Sequence, residues 1–299
     1  GDTMKMKHLR RPFTIMIVLL TMLFAETEQS YYPDWSLSWE QFTRSDMKIG
    51  LALGGGAVLG AVHIGVLKAL DELDISIDCI AGTSIGAFVS ALHAFGKDWR
   101  EIEKIADNMD WTDLSALSFS NLGLLSNKKM GDLIETHIGN VKIEDSPLPL
   151  AMIAADIVNL KEVVLTMGNV AQAVMASTCI PAIFVPVEIE GKLLVDGGLV
   201  ESVPVSPLRA MGADLIIAVD LNSEYDRSTP GNLIDILLRT FLLTTNTTTK
   251  IQIRNADIII APDLSEFNFI DISQSPDLID LGYREAMRIL KDKAEFLKP

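Results

Sequence analysis

Residues 48–73 read KIGLALGGGAVLGAVHIGVLKALDEL. An apolar run of strand length, Ile49 to Leu53, enters three glycines. Val62, Val66, Ala69 and Leu73 then recur at helical spacing. A strand with no polar alternation has to be covered on both faces, and a strand that leads into a helix reaches its next neighbour by crossing over in parallel. The same unit returns along the chain. ISIDCIAG is a second strand and IGAFVSALHAF a second helix stopped by Gly96. Later come LPLAMIAAD (148–156), EVVLTM (162–167), NVAQAVMAS (169–177), KLLVDGG (192–198), DLIIAVDL (214–221), a helix near 231–250, ADIIIAP (256–262) and a terminal helix near 277–298. This alternation predicts an α/β domain with a mainly parallel central sheet flanked by helices. Ligands of such sheets bind at the carboxyl ends of the strands.

The 299 residues allow one large domain, and 48% apolar with 22% charged residues is a globular composition. The chain carries a net charge of −15, which argues against nucleic acid as a partner. The first 25 residues depart from this balance. They hold Lys5, Lys7, Arg10 and Arg11 against Asp2, followed by the uncharged stretch PFTIMIVLLTMLFA from Pro12 to Ala25. Positive residues ahead of an apolar run too short to span a bilayer have the layout of a secretory signal, and a large Leu23 near the end keeps an uncleaved anchor open. Residues 1–25 are therefore expected to be a signal peptide or anchor, 26–46 a linker, and 47–299 the domain, exported or held at a membrane. Cys79 and Cys179 both sit in apolar runs and read as small buried hydrophobes.

Three functions suit a glycine loop after a strand: cradling a phosphate, receiving a dinucleotide, or stabilising an oxyanion. A dinucleotide fingerprint needs a third glycine three residues after the second. Leu59 stands there after Gly54 and Gly56, although Asp71, Glu72 and Asp74 lie near the distance of a ribose-binding acid. A phosphate loop needs a Gly-Lys-Ser/Thr ending, and there is none. Past the loop, Gly82-Thr83-Ser84-Ile85-Gly86 forms G-x-S-x-G between a predicted strand and a predicted helix, where a sharp turn exposes a serine nucleophile. A helix N-terminus at the same place favours developing negative charge.

A serine nucleophile needs a base. The histidines are His8, His63, His93 and His137, and none follows the strongest acid candidate, Asp196. His63 and His93 fall on predicted helices and read as packing or surface residues, so a Ser-His-acid triad is not expected. Asp196 ends an apolar strand and precedes two glycines, which places a carboxylate at a strand end but also makes a turn signal.

GGGAVLGAVHIGVLKALDE, GTSIG, MASTCIPAIFVPV and VDGGLVESVPV, in this order, resemble the patatin-like phospholipase family over residues 47–299. The resemblance implies a three-layer α/β architecture, a Ser–Asp dyad of Ser84 and Asp196 without a catalytic histidine, and a glycine-rich oxyanion hole. Residues 57–59 depart from the pattern. Ala57, Val58 and Leu59 stand where family members commonly carry a glycine, a small residue and a basic residue.

The reaction implied is ester hydrolysis through a Ser84 acyl-enzyme. Asp196 acts as base, N–H groups around Gly55, Gly56 and Ala57 bind the oxyanion, and neither metal nor organic cofactor is needed. Asp196 should then lie in a partly desolvated site that raises its pKa. The expected partner is a lipid ester or phospholipid, with membrane contact through the N-terminal segment or a local patch. LSALSFSNLGLL and IPAIFVPV read equally as acyl-groove lining or as core. A lipid-binding protein of this fold with weakened catalysis and, more remotely, a dinucleotide enzyme stay open here, as does the oligomeric state.

Overall fold

The computed structural model describes residues 47–109, 116–117, 120–222, 231–268 and 271–298. The basic and apolar N-terminal stretch and the expected linker lie outside these residues.

The strands are β1 (Ile49–Leu53), β2 (Cys79–Thr83), β3 (Ala116–Leu117), β4 (Gly123–Ser126), β5 (Leu150–Asp156) and β6 (Lys161–Leu165). They continue with β7 (Ala182–Phe184), β8 (Val187–Ile189), β9 (Lys192–Asp196), β10 (Leu215–Val219) and β11 (Ile258–Ile260). The helices are α1 (Ala61–Glu72), α2 (Ile85–Ala94), α3 (Trp99–Asp107) and α4 (Lys128–Ile138). After them come α5 (Val170–Ser177), α6 (Val205–Ala210), α7 (Leu233–Gln252) and α8 (Ser275–Leu290). The terminal helix expected to run to 298 stops at Leu290, where a short 3-10 turn intervenes before Ala294–Leu297.

The main sheet has the order β11-β10-β1-β2-β5-β9-β8, with β6 also on β5. β11 through β5 run parallel, and β6, β8 and β9 are antiparallel additions. Every residue of β1, β2, β5 and β10 is buried, so both faces of the central strands are covered, as the unbroken apolar runs demand. α6 packs on β1, β2 and β10, while α2 and α5 pack on β5. α1 lies along α8 with their backbones in close approach: a Cβ added to Gly65 would meet the Ile279 carbonyl at 2.0 Å, and one on Gly282 the Val62 carbonyl at 2.3 Å.

The pairing of β5 positions the site. Its edge facing β2 is shared: Thr83 of β2 is opposite Ile153, and Asp196 of β9 is opposite the next residue, Ala154. Because β2 runs parallel to β5 and β9 antiparallel, their carboxyl ends meet head to head. β6 occupies the other edge.

Candidate active site

β2 ends at Thr83, and Ser84 turns the chain into α2 with φ 55° and ψ −125°, a conformation in which a non-glycine residue is strained. The flanking glycines have a steric cause. A Cβ on Gly82 would sit 2.3 Å from the Gly86 carbonyl oxygen, and one on Gly86 would sit 2.0 Å from that of Leu53. No side chain fits either contact. The turn is held from outside by the Ser177 hydroxyl at the end of α5, which accepts a hydrogen bond from the Ser84 N–H at 2.9 Å.

Asp196 arrives from the opposite direction at the end of β9. The Ser84 hydroxyl donates to its Oδ2 at 2.7 Å, and the Gly198 N–H donates to Oδ1 at 2.8 Å. The Asp196 N–H is itself anchored on the Cys179 carbonyl at 2.8 Å. The carboxyl group is fully buried, and this desolvation raises its pKa to about 7 against the two hydrogen bonds that favour the charged form. The structure therefore brings Ser84 and Asp196 together and puts the acid in a desolvated setting.

The glycine loop borders the same cleft. It is tied to the sheet by Gly54 N–H to the Val219 carbonyl at 3.1 Å and Gly55 N–H to the Ser202 carbonyl at 3.0 Å. Gly55 lines the cleft, and its N–H is donated to the Ser202 carbonyl. Gly56 and Ala57 follow at the start of a 3-10 turn, where the first N–H groups have no partner within the turn. Ala57 has φ 51°, the left-handed region that glycine adopts at lower cost. Leu59 is buried at 1% exposure and belongs to the core.

The cleft has a cavity volume of about 40 Å³. Its polar floor is the glycine loop, Ser84, Asp196, Ser202 and Asn222, and its apolar wall is Leu238, Phe241 and Leu242 of α7. Of the two segments considered for an acyl groove, IPAIFVPV contributes Ile180 alone. LSALSFSNLGLL contributes nothing: Leu122 and Leu124 are solvent-exposed, and residues 114, 115, 118 and 119 lie outside the described residues. The α7 wall was not anticipated, since a helix's sequence does not say which part of the sheet it crosses. Ser177 and Ser202 also went unnoticed, because their backbone-holding bonds reach across long stretches of sequence.

No histidine lines the cleft among the described residues. His93 sits in the last turn of α2 with Nδ1 against the Lys97 carbonyl, whereas His63 is fully buried with Nε2 2.8 Å from the Gly54 carbonyl oxygen. Both cysteines are free and buried, with thiols pushed up to about 11 for Cys79 and about 12 for Cys179, chiefly by desolvation. No cluster of three or more metal-ligating side chains occurs among the described residues, and no helix among them is long and apolar enough to cross a membrane.

Comparison with known proteins gives the family. The chain is 37% identical over 180 residues to an uncharacterized NTE family protein of Mycobacterium tuberculosis (strain ATCC 25618 / H37Rv), covering 60% of this chain and 50% of that protein. It is 32% identical over 220 residues to Lysophospholipase NTE1 of Eremothecium gossypii, covering 70% of this chain and 14% of that protein. The chain thus spans half or less of the length of these curated relatives. VipD from Legionella pneumophila has a similar fold, with a TM-score of 0.58 over 82% of this chain and 67% of that one at 14% identity. Residues 51–209, which contain the glycine loop, Ser84 and Asp196, match the family described as patatin-like phospholipase, and the chain belongs to that family.

Proposed function

We propose that the protein is a lipid acyl hydrolase working through a Ser84 acyl-enzyme with Asp196 as its base. The observation that carries this reading is the 2.7 Å hydrogen bond from the Ser84 hydroxyl to a buried Asp196, inside a cleft with one apolar wall. A relative named as a lysophospholipase supports a lipid ester as the substrate class.

In the first half-reaction Ser84 Oγ attacks the ester carbonyl carbon while its proton passes to Asp196 Oδ2. The carbonyl oxygen takes up negative charge near the N–H groups of Gly56 and Ala57 and the amino end of α2, where fixed dipoles stabilise it. The C–O bond to the alcohol then breaks, and Asp196 returns the proton to the departing oxygen. In the second half-reaction water attacks the acyl-Ser84 carbonyl, gives its proton to Asp196 and releases the fatty acid. The proton goes back to Ser84 Oγ. An acid with a pKa near 7 suits both transfers, since it exchanges protons readily near neutral pH.

Hydrolysis of a short-chain nitrophenyl ester and of a lysophospholipid by the purified protein tests the reading. Ser84→Ala and Asp196→Asn should each lower kcat by about 10³-fold or more, and the double variant should be little worse than either, because nucleophile and base act as a unit. A folded Asp196→Asn variant with near-normal turnover would remove Asp196 from the mechanism.

A further inference from the structure

We propose that His63 is a positioning residue for the oxyanion-binding loop, acting through the Gly54 carbonyl. This inference rests on the reading of Ser84 and the loop as acyl-transfer machinery.

A carbonyl oxygen only accepts, so the 2.8 Å contact between His63 Nε2 and Gly54 O requires the proton on Nε2. Nδ1 is then an acceptor, and it is buried with no hydrogen-bond partner. Keeping such a group inside a core costs desolvation that an apolar side chain of similar size would avoid. Its burial also holds the imidazole neutral, with a pKa lowered to about 4, so the ring supplies one donor and no charge. The single polar contact of this side chain among the described residues is to the loop.

That contact completes a clamp. Within one peptide unit, the Gly54 carbonyl is held by His63 and the Gly55 N–H by the Ser202 carbonyl, while the preceding Gly54 N–H is held by Val219. The unit cannot rotate without breaking bonds on both sides. The next two residues, Gly56 and Ala57, border the cleft that contains Ser84. Ala57 stands in a left-handed conformation that its side chain disfavours, so the turn needs external support to keep those residues in place. His63 lies in the first turn of α1, immediately after the 3-10 turn Ala57–Gly60, and so joins the helix back to the loop's entrance.

Three substitutions test the assignment with a short-chain nitrophenyl ester. His63→Gln places an amide donor near the position of Nε2, His63→Asn places one near Nδ1, and His63→Met fills the volume without a donor. Loss of loop alignment acts on the transition state, so Asn and Met should lower kcat by about 10- to 100-fold with KM changed by less than about 3-fold. Gln should stay within about 5-fold of the wild type. Near-UV circular dichroism reports whether each variant is folded, and if Met does not fold, the comparison of Gln with Asn decides alone. Wild-type kcat in folded Met or Asn, or a Gln variant as impaired as Asn, overturns the role of His63 while leaving Ser84 and Asp196 in place. A wild-type chain that turns over no ester removes the underlying acyl-transfer reading and the inference with it.

Discussion

At Asp196 stability and chemistry oppose one another. Its folded pKa, near 7, lies above the ordinary carboxylate value because the group is buried, so the unfolded chain loses this proton first. The site's contribution to stability is therefore complete below about pH 4 and is lost as the pH rises through about 7. On the proposed mechanism activity would run the other way, because only the carboxylate can take the Ser84 proton. A pH–rate profile should show kcat/KM rising through an apparent pKa near 7. Unfolding measured at pH 5 and pH 8 should show Asp196→Asn gaining stability relative to the wild type at the higher pH. A rate that is flat from pH 5 to 8 would mean that Asp196 is already ionised in the free protein. Leu59 calls for a separate measurement. With 1% exposure it has no room or partner for a charge, so Leu59→Arg should cost about 2 kcal/mol or more and lower Tm, whatever headgroup the substrate carries.

At the scale of elements, α7 lines the cleft that holds Ser84 and Asp196. Its inner side supplies Leu238, Phe241 and Leu242 to the cleft, and Thr245 and Phe241 press on Gly198, where an added Cβ would meet them at 2.9 and 3.2 Å. The helix is anchored near its end by Thr249, which accepts from Asn222, and by Gln252, which donates to the Val200 carbonyl. Phe241→Ala removes the largest apolar group of the wall and should raise KM for a long-chain ester by about 10-fold while changing a short-chain ester by about 2-fold or less. Comparing kcat and KM across a chain-length series measures this, and equal effects at all lengths would place the acyl chain elsewhere. α3 shows what local signals can do. Asp98 and Glu101 exchange hydrogen bonds with each other's backbone in a capping box, a pattern present in the sequence that the alternation of strands and helices did not bring out.

For the molecule as a whole, β1, the strand that feeds the glycine loop, begins at Ile49. On that ground a chain starting near residue 40 is expected to fold with the same Tm and hydrolyse the short-chain ester as the full chain does. Thermal unfolding and kcat/KM measured on both decide it, and a large loss of either would give the first 40 residues a part in the catalytic domain.

The fold and the sharp turn that carries Ser84 were legible because their signals are local. Unbroken apolar runs demand burial on two faces, glycines around Ser84 mark a turn too tight for a Cβ, and an aspartate before two glycines marks a strand end. The small sheet of β3, β4 and β7, the helices α3 and α4, and the wall from α7 were not legible, since short or weakly patterned segments take their place from neighbours remote in sequence. Sequence by itself determined an α/β chain with Ser84 on an elbow and Asp196 at a strand end. Only the tertiary structure decided that these residues meet. β2 and β9 share one edge of β5 and approach it from opposite ends, so two residues 112 apart in the chain come within 2.7 Å. Long-range contact also decided that the Gly55 N–H goes to the Ser202 carbonyl, because such a backbone hydrogen bond carries no mark in the residues that make it.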